Sequence, residues 1–175
     1  MKQVDPPMPP YLIIEAKNSA LWMMPAPTFS GGVSPTLDRC CELGINHIVS
    51  LVEDHETWLL GLEKLSSECS ARNIELLKMP IVDRKTPASI EELIALLSVC
   101  HQLMREGESI GVHCKSGIGR SGMLICSFLG RLGFDMQEAL ERIRDRRGLE
   151  APNTIEQLNW LKKNWPLLSR PNTIE

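Results

Sequence analysis

A cysteine, an arginine and a hydroxyl residue stand at a fixed spacing in the segment HCKSGIGRSG, residues 113–122. Cys114 and Arg120 are separated by five residues, two of which are glycines. Glycines in so short a loop allow backbone conformations in which several N–H groups converge on one anion. A cysteine at the start of this loop lies in a field that favours its thiolate form. The segment therefore predicts an anion cradle that contains its own nucleophile.

The residue types in the cradle point to the chemistry of phosphoryl transfer. Arg120 carries a planar fork that can bind two oxygens of a phosphate group at once. Attack of the Cys114 thiolate on phosphorus would give a phosphocysteine intermediate. We expect Ser121 to hydrogen-bond the sulfur and so improve it as a leaving group, and His113 to tune the thiolate from the loop backbone. The residues that we expect to bind the phosphate are Lys115, Ser116, Gly117, Ile118, Gly119 and Arg120.

A leaving alkoxide or phenoxide needs a proton, which must come from another loop that faces the cradle. Asp83 occurs in MPIVDRKTP, directly after a predicted strand and upstream of the cysteine. A turn-rich loop in that position can lie beside the pocket and move. Asp83 is therefore our candidate to protonate the leaving group and then to activate water. The alternative is an aspartate that only shapes a turn, which is a common role.

Alternating strand and helix patterns surround these residues. They predict an α/β fold, with a central, mainly parallel, twisted sheet flanked by helices. SIGVHC (109–114) is a predicted strand that runs directly into the cradle. Ser34 before Pro35 predicts the start of the first helix, and Ser89 with Glu92 predicts a capping box. The other predicted strands are YLIIE, ALWMMP, 45–53 and 74–82. The predicted helices cover about 35–43, 56–72, 89–107 and 120–132, and two more helices are predicted to begin near residues 135 and 154.

Composition limits the possible classes of protein. A chain of 175 residues, 43% of them hydrophobic, fits one globular domain. The net charge of -3 gives no reason to expect a nucleic-acid partner. No apolar run approaches the roughly 20 residues of a membrane span. The N-terminal sequence MKQVDPPMPP lacks the features of a signal peptide. We therefore expect a cytoplasmic monomer.

Cysteine spacing gives no support for a metal site. The six cysteines form no paired C-x-x-C motifs, and most of them lie in apolar patterns where cysteine is a small hydrophobe. We expect no metal and no cofactor. We assign residues 1–170 to a single domain, of which 1–10 is a proline-rich lead-in. The sequence PNTIE occurs at 152–156 and again at 171–175, and we interpret the second copy as a tail.

The cradle resembles the H-C-x5-R-[ST] motif of the cysteine-dependent protein phosphatases, with His113, Cys114, Arg120 and Ser121 at the fixed positions. The resemblance covers roughly residues 20–165 and is to small dual-specificity phosphatases. LGINHIVSLVE is similar to their strand before the pocket, and PIVDRKTPA to their acid loop. RDRRGLEAPNTIEQLNWL resembles the C-terminal helix region of the cyclin-dependent-kinase-associated members and, more loosely, the cell-division type.

The resemblance implies further roles and a substrate class. Gln157 would organise the hydrolytic water and Asn153 would line the same side of the pocket, whereas the residue pattern alone equally allows Gln157 to cap a helix with Thr154. The chain has no equivalent of the segment that deepens the pocket in tyrosine-specific members. This implies a shallower pocket, open to phosphoserine and phosphothreonine as well as phosphotyrosine.

Three functions stay open on the sequence. The leading hypothesis is a dual-specificity phosphatase that acts on phosphorylated proteins. Lys115 and the pair Arg84–Lys85 motivate an alternative, a phosphatase of phosphoinositides or small metabolites. The third is a module that binds phosphate groups without turnover. Beside the pocket, VEDHETW offers Asp54, His55 and Trp58 as possible substrate contacts, although a loop charge cluster is usually only solvated.

Overall fold

A computed structural model describes residues 9–170 of the chain. Most of the predicted lead-in (residues 1–8) and the second PNTIE copy (171–175) lie outside the described residues. No helix in the described part is long and apolar enough to cross a lipid bilayer.

The core of the molecule is one five-stranded sheet with the strand order β1-β2-β5-β3-β4. The strand β1 pairs antiparallel with β2, and every other neighbouring pair is parallel. The predicted mainly parallel sheet is therefore confirmed. The strands are β1 (Tyr11–Glu15), β2 (Ala20–Met24), β3 (Ile45–Ser50), β4 (Glu75–Lys78) and β5 (Ser109–His113).

Helices cover both faces of the sheet because the strands bury side chains on both sides. On β3, the neighbours Ile48 and Val49 belong to different apolar clusters, as the two-residue repeat of a strand requires. One cluster contains residues of α4 to α7, and the other contains residues of α1 and α3. The helices are α1 (Val33–Glu42), α2 (Asp54–Leu59), α3 (Leu65–Ala71), α4 (Ile90–Arg105), α5 (Gly119–Arg131), α6 (Met136–Arg147) and α7 (Ile155–Leu168).

The predicted helix over 56–72 is wrong, because the structure has two short helices there. Gly61 lies between them with φ +65°, a left-handed conformation that glycine adopts easily and that an α-helix does not contain. The first helix also begins one residue before Ser34, after Gly32. Ser34 does not cap it, and its Oγ instead accepts a hydrogen bond from Arg72 at 2.6 Å.

Two predicted strands are longer than those in the structure. The patterns at 45–53 and 74–82 predict nine residues each, but β3 ends at Ser50 and β4 at Lys78. Beyond these ends, Val82 is exposed, whereas the other apolar residues stay buried in the two apolar clusters without extending the sheet: Leu51, Val52, Met79 and Ile81. The predicted helix starts at Ser89, Asp135 and Thr154 are confirmed, since each side chain accepts the N–H three residues ahead.

The topology places the C-terminal ends of four strands at the same end of the sheet. The strands β2, β3, β4 and β5 run in the same direction, so the segments that follow them all leave the sheet at that end. The segment 113–122 follows β5, the central strand, and Asp83 lies in the loop after β4. Open parallel sheets bind ligands at this end, next to the carboxyl ends of the strands.

Candidate active site

The cradle is fixed between a buried strand and a buried helix. All five residues of β5 are buried, and α5 begins at Gly119. Gly117 has φ +65°, and a Cβ atom on it would lie 2.5 Å from the carbonyl group of Met24. Only glycine fits so close an approach. The Ala26 N–H also donates to the Lys115 carbonyl at 2.8 Å, which ties the cradle to the segment after β2.

Cys114 opens into a cavity of about 200 Å³ that also contains the predicted arginine and acid. The Ile118 side chain packs against the apolar core, so this residue can face a ligand only through its backbone, and its part in phosphate binding stays a prediction. The side chains of His113 and Ser121 are absent from the cavity wall within the described residues, and Gly117, which has no side chain, can face a ligand only through its backbone. The lining residues are Asp83, Arg84, Cys114, Lys115, Ser116, Gly119, Arg120, Asn153 and Gln157.

Arg120 is almost completely buried and is held by a bidentate pair with Glu56. The two nitrogen–oxygen distances are 2.6 and 2.8 Å, and the Ile81 carbonyl accepts a third hydrogen bond at 2.8 Å. Burial, the largest single influence, would lower the pKa of the guanidinium, but the hydrogen bonds to Glu56 together with the charges of Cys114, Glu56 and Asp83 outweigh it and raise the pKa. Burial, the largest single influence, would raise the pKa of the Glu56 carboxyl, but the bonds to Arg120, the backbone N–H of Glu53 and the nearby positive charges together lower it. Arg120 therefore stays charged, and these hydrogen bonds hold its guanidinium in one orientation at the cavity.

Sequence reasoning missed Glu56, although a physical signal for it existed. A buried arginine needs a carboxylate partner. VEDHETW follows β3, whose end lies beside the end of β5, so a carboxylate partner for Arg120 is expected in this segment. The candidates named there, Asp54, His55 and Trp58, are exposed and do not line the described cavity. Glu56 is the buried carboxylate of that segment.

Asp83 reaches the cavity from an exposed loop. Its side chain is 49% exposed, and its Oδ1 lies 3.1 Å from the Nη2 of Arg120. The loop turns tightly, since the Lys85 N–H donates to the Val82 carbonyl at 2.9 Å. Arg84, the next residue, has φ +63°, which is uncommon for a residue with a side chain. Asp83 thus faces Arg120 while it stays in contact with water.

Gln157 is completely buried and connects α7 to the acid loop. Its Nε2 donates to the Lys85 carbonyl at 3.1 Å, while its Oε1 has no hydrogen-bond partner among residues 9–170. Its backbone N–H, not its side chain, takes part in the cap at Thr154. A Cβ atom on Gly119 would lie 3.0 Å from Oε1, so the glycine leaves room for this amide. The free acceptor can orient a water molecule.

His113 is buried and neutral. Its Nδ1 lies 3.0 Å from the Cys114 carbonyl, which can only accept, so the proton is on Nδ1. Burial lowers the pKa of His113 to about 4. Ser121 Oγ is also buried and makes no hydrogen bond within the described residues. The predicted bond from Ser121 to the sulfur is therefore not formed in this structure, and its role in the second step stays a prediction.

Comparison with known proteins gives the family to which this geometry belongs. The family described as "Dual specificity phosphatase, catalytic domain" matches residues 33–164, which include the whole cavity lining. The chain belongs to the dual-specificity phosphatase family. The match runs from the first helix to α7, so it covers the cradle, the acid loop and Gln157 together.

Curated relatives are similar over parts of the chain. Dual specificity protein phosphatase 5 of Rattus norvegicus is 27% identical over 100 residues, which are 57% of this chain and 26% of the relative. Cyclin-dependent kinase inhibitor 3 of Mus musculus is 34% identical over 85 residues, 47% of this chain and 39% of the relative. These matches therefore span less than half the length of either relative.

Solved structures are similar over almost the whole chain. Tk-PTP in its active form is 31% identical, covers 91% of this chain and 99% of its own, and superposes with a TM-score of 0.72. The kinase associated phosphatase, with its catalytic-site cysteine replaced by serine, is 21% identical, covers 95% and 98%, and has a TM-score of 0.79. The predicted dual-specificity phosphatase fold is confirmed.

Proposed function

We propose that this phosphatase hydrolyses phosphomonoesters through a phosphocysteine intermediate, and that its substrates are proteins phosphorylated on tyrosine, serine or threonine. The observation that carries the proposal is that Cys114, Arg120 and Asp83 line one cavity of about 200 Å³. A nucleophile, a bidentate cation and an acid are the groups that the two transfer steps need. Cys114 and Arg120 come from the segment after β5 and Asp83 from the loop after β4, at the same end of the sheet.

In the first step, the thiolate of Cys114 attacks phosphorus. The S–P bond forms as the bond between phosphorus and the leaving oxygen breaks. Asp83 donates its proton to that oxygen, which leaves as an alcohol or phenol. Arg120 and the backbone N–H groups of the cradle stabilise the charge on the three equatorial oxygens. The pair with Glu56 keeps the guanidinium in position, so little reorganisation is needed.

In the second step, water attacks the phosphocysteine. Asp83, now a carboxylate, takes a proton from the water as the oxygen bonds to phosphorus. The S–P bond breaks, which returns the thiolate of Cys114 and releases inorganic phosphate. The unpartnered Oε1 of Gln157 can accept a hydrogen bond from this water and direct its oxygen toward the cradle.

The basic residues beside the cavity support a polyphosphorylated lipid substrate less than their number suggests. The alternative of a phosphoinositide substrate depends on three basic residues beside the cradle, Lys115, Arg84 and Lys85. Of these, Lys85 is already paired with Glu156 at 3.1 Å, which reduces its attraction for further phosphate groups. A lipid substrate in general, although not a phosphoinositide, is supported by similarity to the phosphatidylglycerophosphate phosphatase PTPMT2 of Arabidopsis thaliana, which is 29% identical over 62% of this chain and 46% of its own length.

Hydrolysis of a generic aryl phosphate tests the mechanism. Cys114→Ser should lose turnover completely, whereas Cys41→Ser, which changes an exposed cysteine outside the cavity, should keep it. Intact-protein mass spectrometry of acid-quenched enzyme should show one added phosphate on the wild type and none on Cys114→Ser. Undiminished turnover in Cys114→Ser would refute the mechanism, and binding without turnover in the wild type would favour the phospho-binding module.

A second experiment separates the substrate classes. Phosphotyrosine, phosphothreonine and phosphoserine peptides are compared with phosphoinositides in mixed micelles, by phosphate release at equal concentrations. We expect higher kcat/KM on the peptides, and a strong preference for the lipids would overturn the protein assignment. We also propose residues 1–170 as one catalytic domain that acts as a monomer. The cytoplasmic location stays a prediction.

A further inference from the structure

Arg147, the last residue of α6, contacts the backbone of the cradle from outside the cavity lining. Its Nε donates to the Gly117 carbonyl at 3.0 Å, and one of its terminal nitrogens donates to the Ser116 carbonyl at 3.2 Å. The helix ends immediately afterwards at Gly148, which has φ +81°. The end of α6 therefore delivers one guanidinium to two successive carbonyl groups of the loop.

These two hydrogen bonds determine which way the cradle presents its N–H groups. In a trans peptide unit the C=O and the following N–H point in opposite directions. When the carbonyls of Ser116 and Gly117 point toward Arg147, the N–H groups of Gly117 and Ile118 must point away from it. A cation on the carbonyl oxygens also polarises the peptide units, which makes these N–H groups stronger donors.

An aromatic ring holds the guanidinium in place. The Arg147 Cζ lies 4.2 Å from the centre of the Tyr11 ring, a cation–π geometry. Tyr11 begins β1, the edge strand that α6 packs against. The arginine is thus fixed on one side by a ring of the sheet and on the other by the loop. A lysine could not bind both carbonyls and stack on a ring with the same planar group.

We propose that Arg147 is a positioning residue for phosphate binding, which orients the N–H groups of Gly117 and Ile118 toward the phosphate, and that Tyr11 holds it in place. The inference deepens the proposed function, since it assumes that the cradle binds phosphate. It adds a group that touches neither the substrate nor the reacting atoms. It also gives the N-terminal hairpin a part in the site.

The test measures oxyanion binding without turnover, in the Cys114→Ser background. Inorganic phosphate and tungstate are titrated calorimetrically into Cys114→Ser alone and combined with Arg147→Met, Arg147→Lys or Arg146→Met. Loss of two charged hydrogen bonds should weaken binding roughly 10- to 100-fold in the Arg147→Met protein. Arg147→Lys should recover part of this loss. Arg146→Met removes an exposed arginine from the same turn and should change affinity less than about twofold.

A second measurement separates positioning from general damage to the fold. With Cys114 intact, the rate of alkylation by iodoacetate is followed against pH. If the N–H groups of the cradle are misdirected, the pH at which alkylation reaches half its maximal rate should be higher in Arg147→Met than in the wild type. Arg146→Met should keep the wild-type profile. Tyr11→Leu should weaken phosphate binding by roughly 2- to 5-fold, and Tyr11→Phe, which keeps the ring, should restore it.

The outcomes distinguish this inference from the proposed function. Equal phosphate affinity and equal alkylation profiles in Arg147→Met and Arg146→Met would overturn the inference alone. Failure of Cys114→Ser itself to bind either anion would overturn the phosphate cradle and the inference with it. If Arg147→Met does not fold, Arg147→Lys and Tyr11→Leu still decide, since wild-type affinity in both would refute the role of Arg147.

Discussion

The cradle and the acid loop serve one cavity, but very different amounts of structure hold them. Cys114, Arg120 and Ser121 are almost fully buried between the central strand and a helix whose residues 120–130 are all buried. Asp83 is about half exposed, in a loop that follows the short edge strand β4. The proposed nucleophile and the proposed phosphate-binding arginine are therefore part of the core, whereas the proposed acid is at the surface.

This difference matches the tasks of the two regions. The phosphoryl group is the same in every substrate, so a rigid site can be complementary to it and to its transition state. Leaving groups differ in size and position, so the acid gains from a loop with few contacts that can adjust. The loop is held by the Asp83–Arg120 pair, the Lys85–Glu156 pair and the hydrogen bond from Gln157.

The largest expected effect is on turnover and comes from the exposed loop. Asp83→Asn should lower kcat on alkyl phosphates by roughly 10²- to 10⁴-fold, because general acid catalysis is lost. Affinity for inorganic phosphate and the free energy of unfolding should change little. Steady-state kinetics and urea unfolding check both parts. A large loss of stability would show that the loop is as integral to the fold as the cradle, and the contrast between the two regions would fail.

The next largest effect is on stability and comes from the buried pair. Glu56→Gln leaves the Arg120 charge without its main partner, and we expect a loss of roughly 3 kcal/mol in the free energy of unfolding. Turnover should fall as well, since the guanidinium is no longer held. Glu63→Gln, an exposed carboxylate close in sequence, is the matched control and should stay within about 0.5 kcal/mol. Equal urea midpoints for the two variants would contradict the pairing.

Acidification should destabilise the cradle through His113. The pKa of His113 in the folded protein is about 4, below the ordinary 6.5, so the unfolded chain binds more protons between these values. Stability is therefore fully present above pH 6.5 and falls as pH decreases toward 4, by roughly 1.4 kcal/mol per pH unit at most. Urea unfolding from pH 7.5 to 5 measures this slope, which should persist in His55→Asn and diminish in His113→Asn. The same slope in both variants would assign it to other groups.

The smallest effect should come from the tether of the acid loop. Glu156→Gln breaks an exposed pair with Lys85, and such pairs contribute about 0–1 kcal/mol. We expect kcat to change by less than about fivefold and stability hardly at all. Glu42→Gln, which breaks the exposed pair with Arg39 in α1, is the control and should leave kcat unchanged. A kcat loss as large as that of Asp83→Asn would mean that the loop works only when tethered.

Local patterns in the sequence predicted most of the elements and the centre of the site. The segment 109–120 encodes the spacing of Cys114 and Arg120, the two glycines between them and the strand before them. Asp83 was found in the same way, from a strand end and turn residues. These signals are short-range, because loop geometry and strand alternation depend on neighbours along the chain.

The tertiary structure decided the features that depend on contacts between distant residues. Glu56 and Arg120 are 64 positions apart, and their pairing exists only because β3 and β5 are neighbours in the sheet. Gln157 binds the Lys85 carbonyl across 72 positions, so its side chain leaves the predicted cap. The Ile118 side chain packs against the apolar core, a contact that also depends on residues distant in the sequence. The sequence determined which groups could do the chemistry, and packing decided which partners hold them, because a buried charge or amide is satisfied by whatever the fold brings beside it.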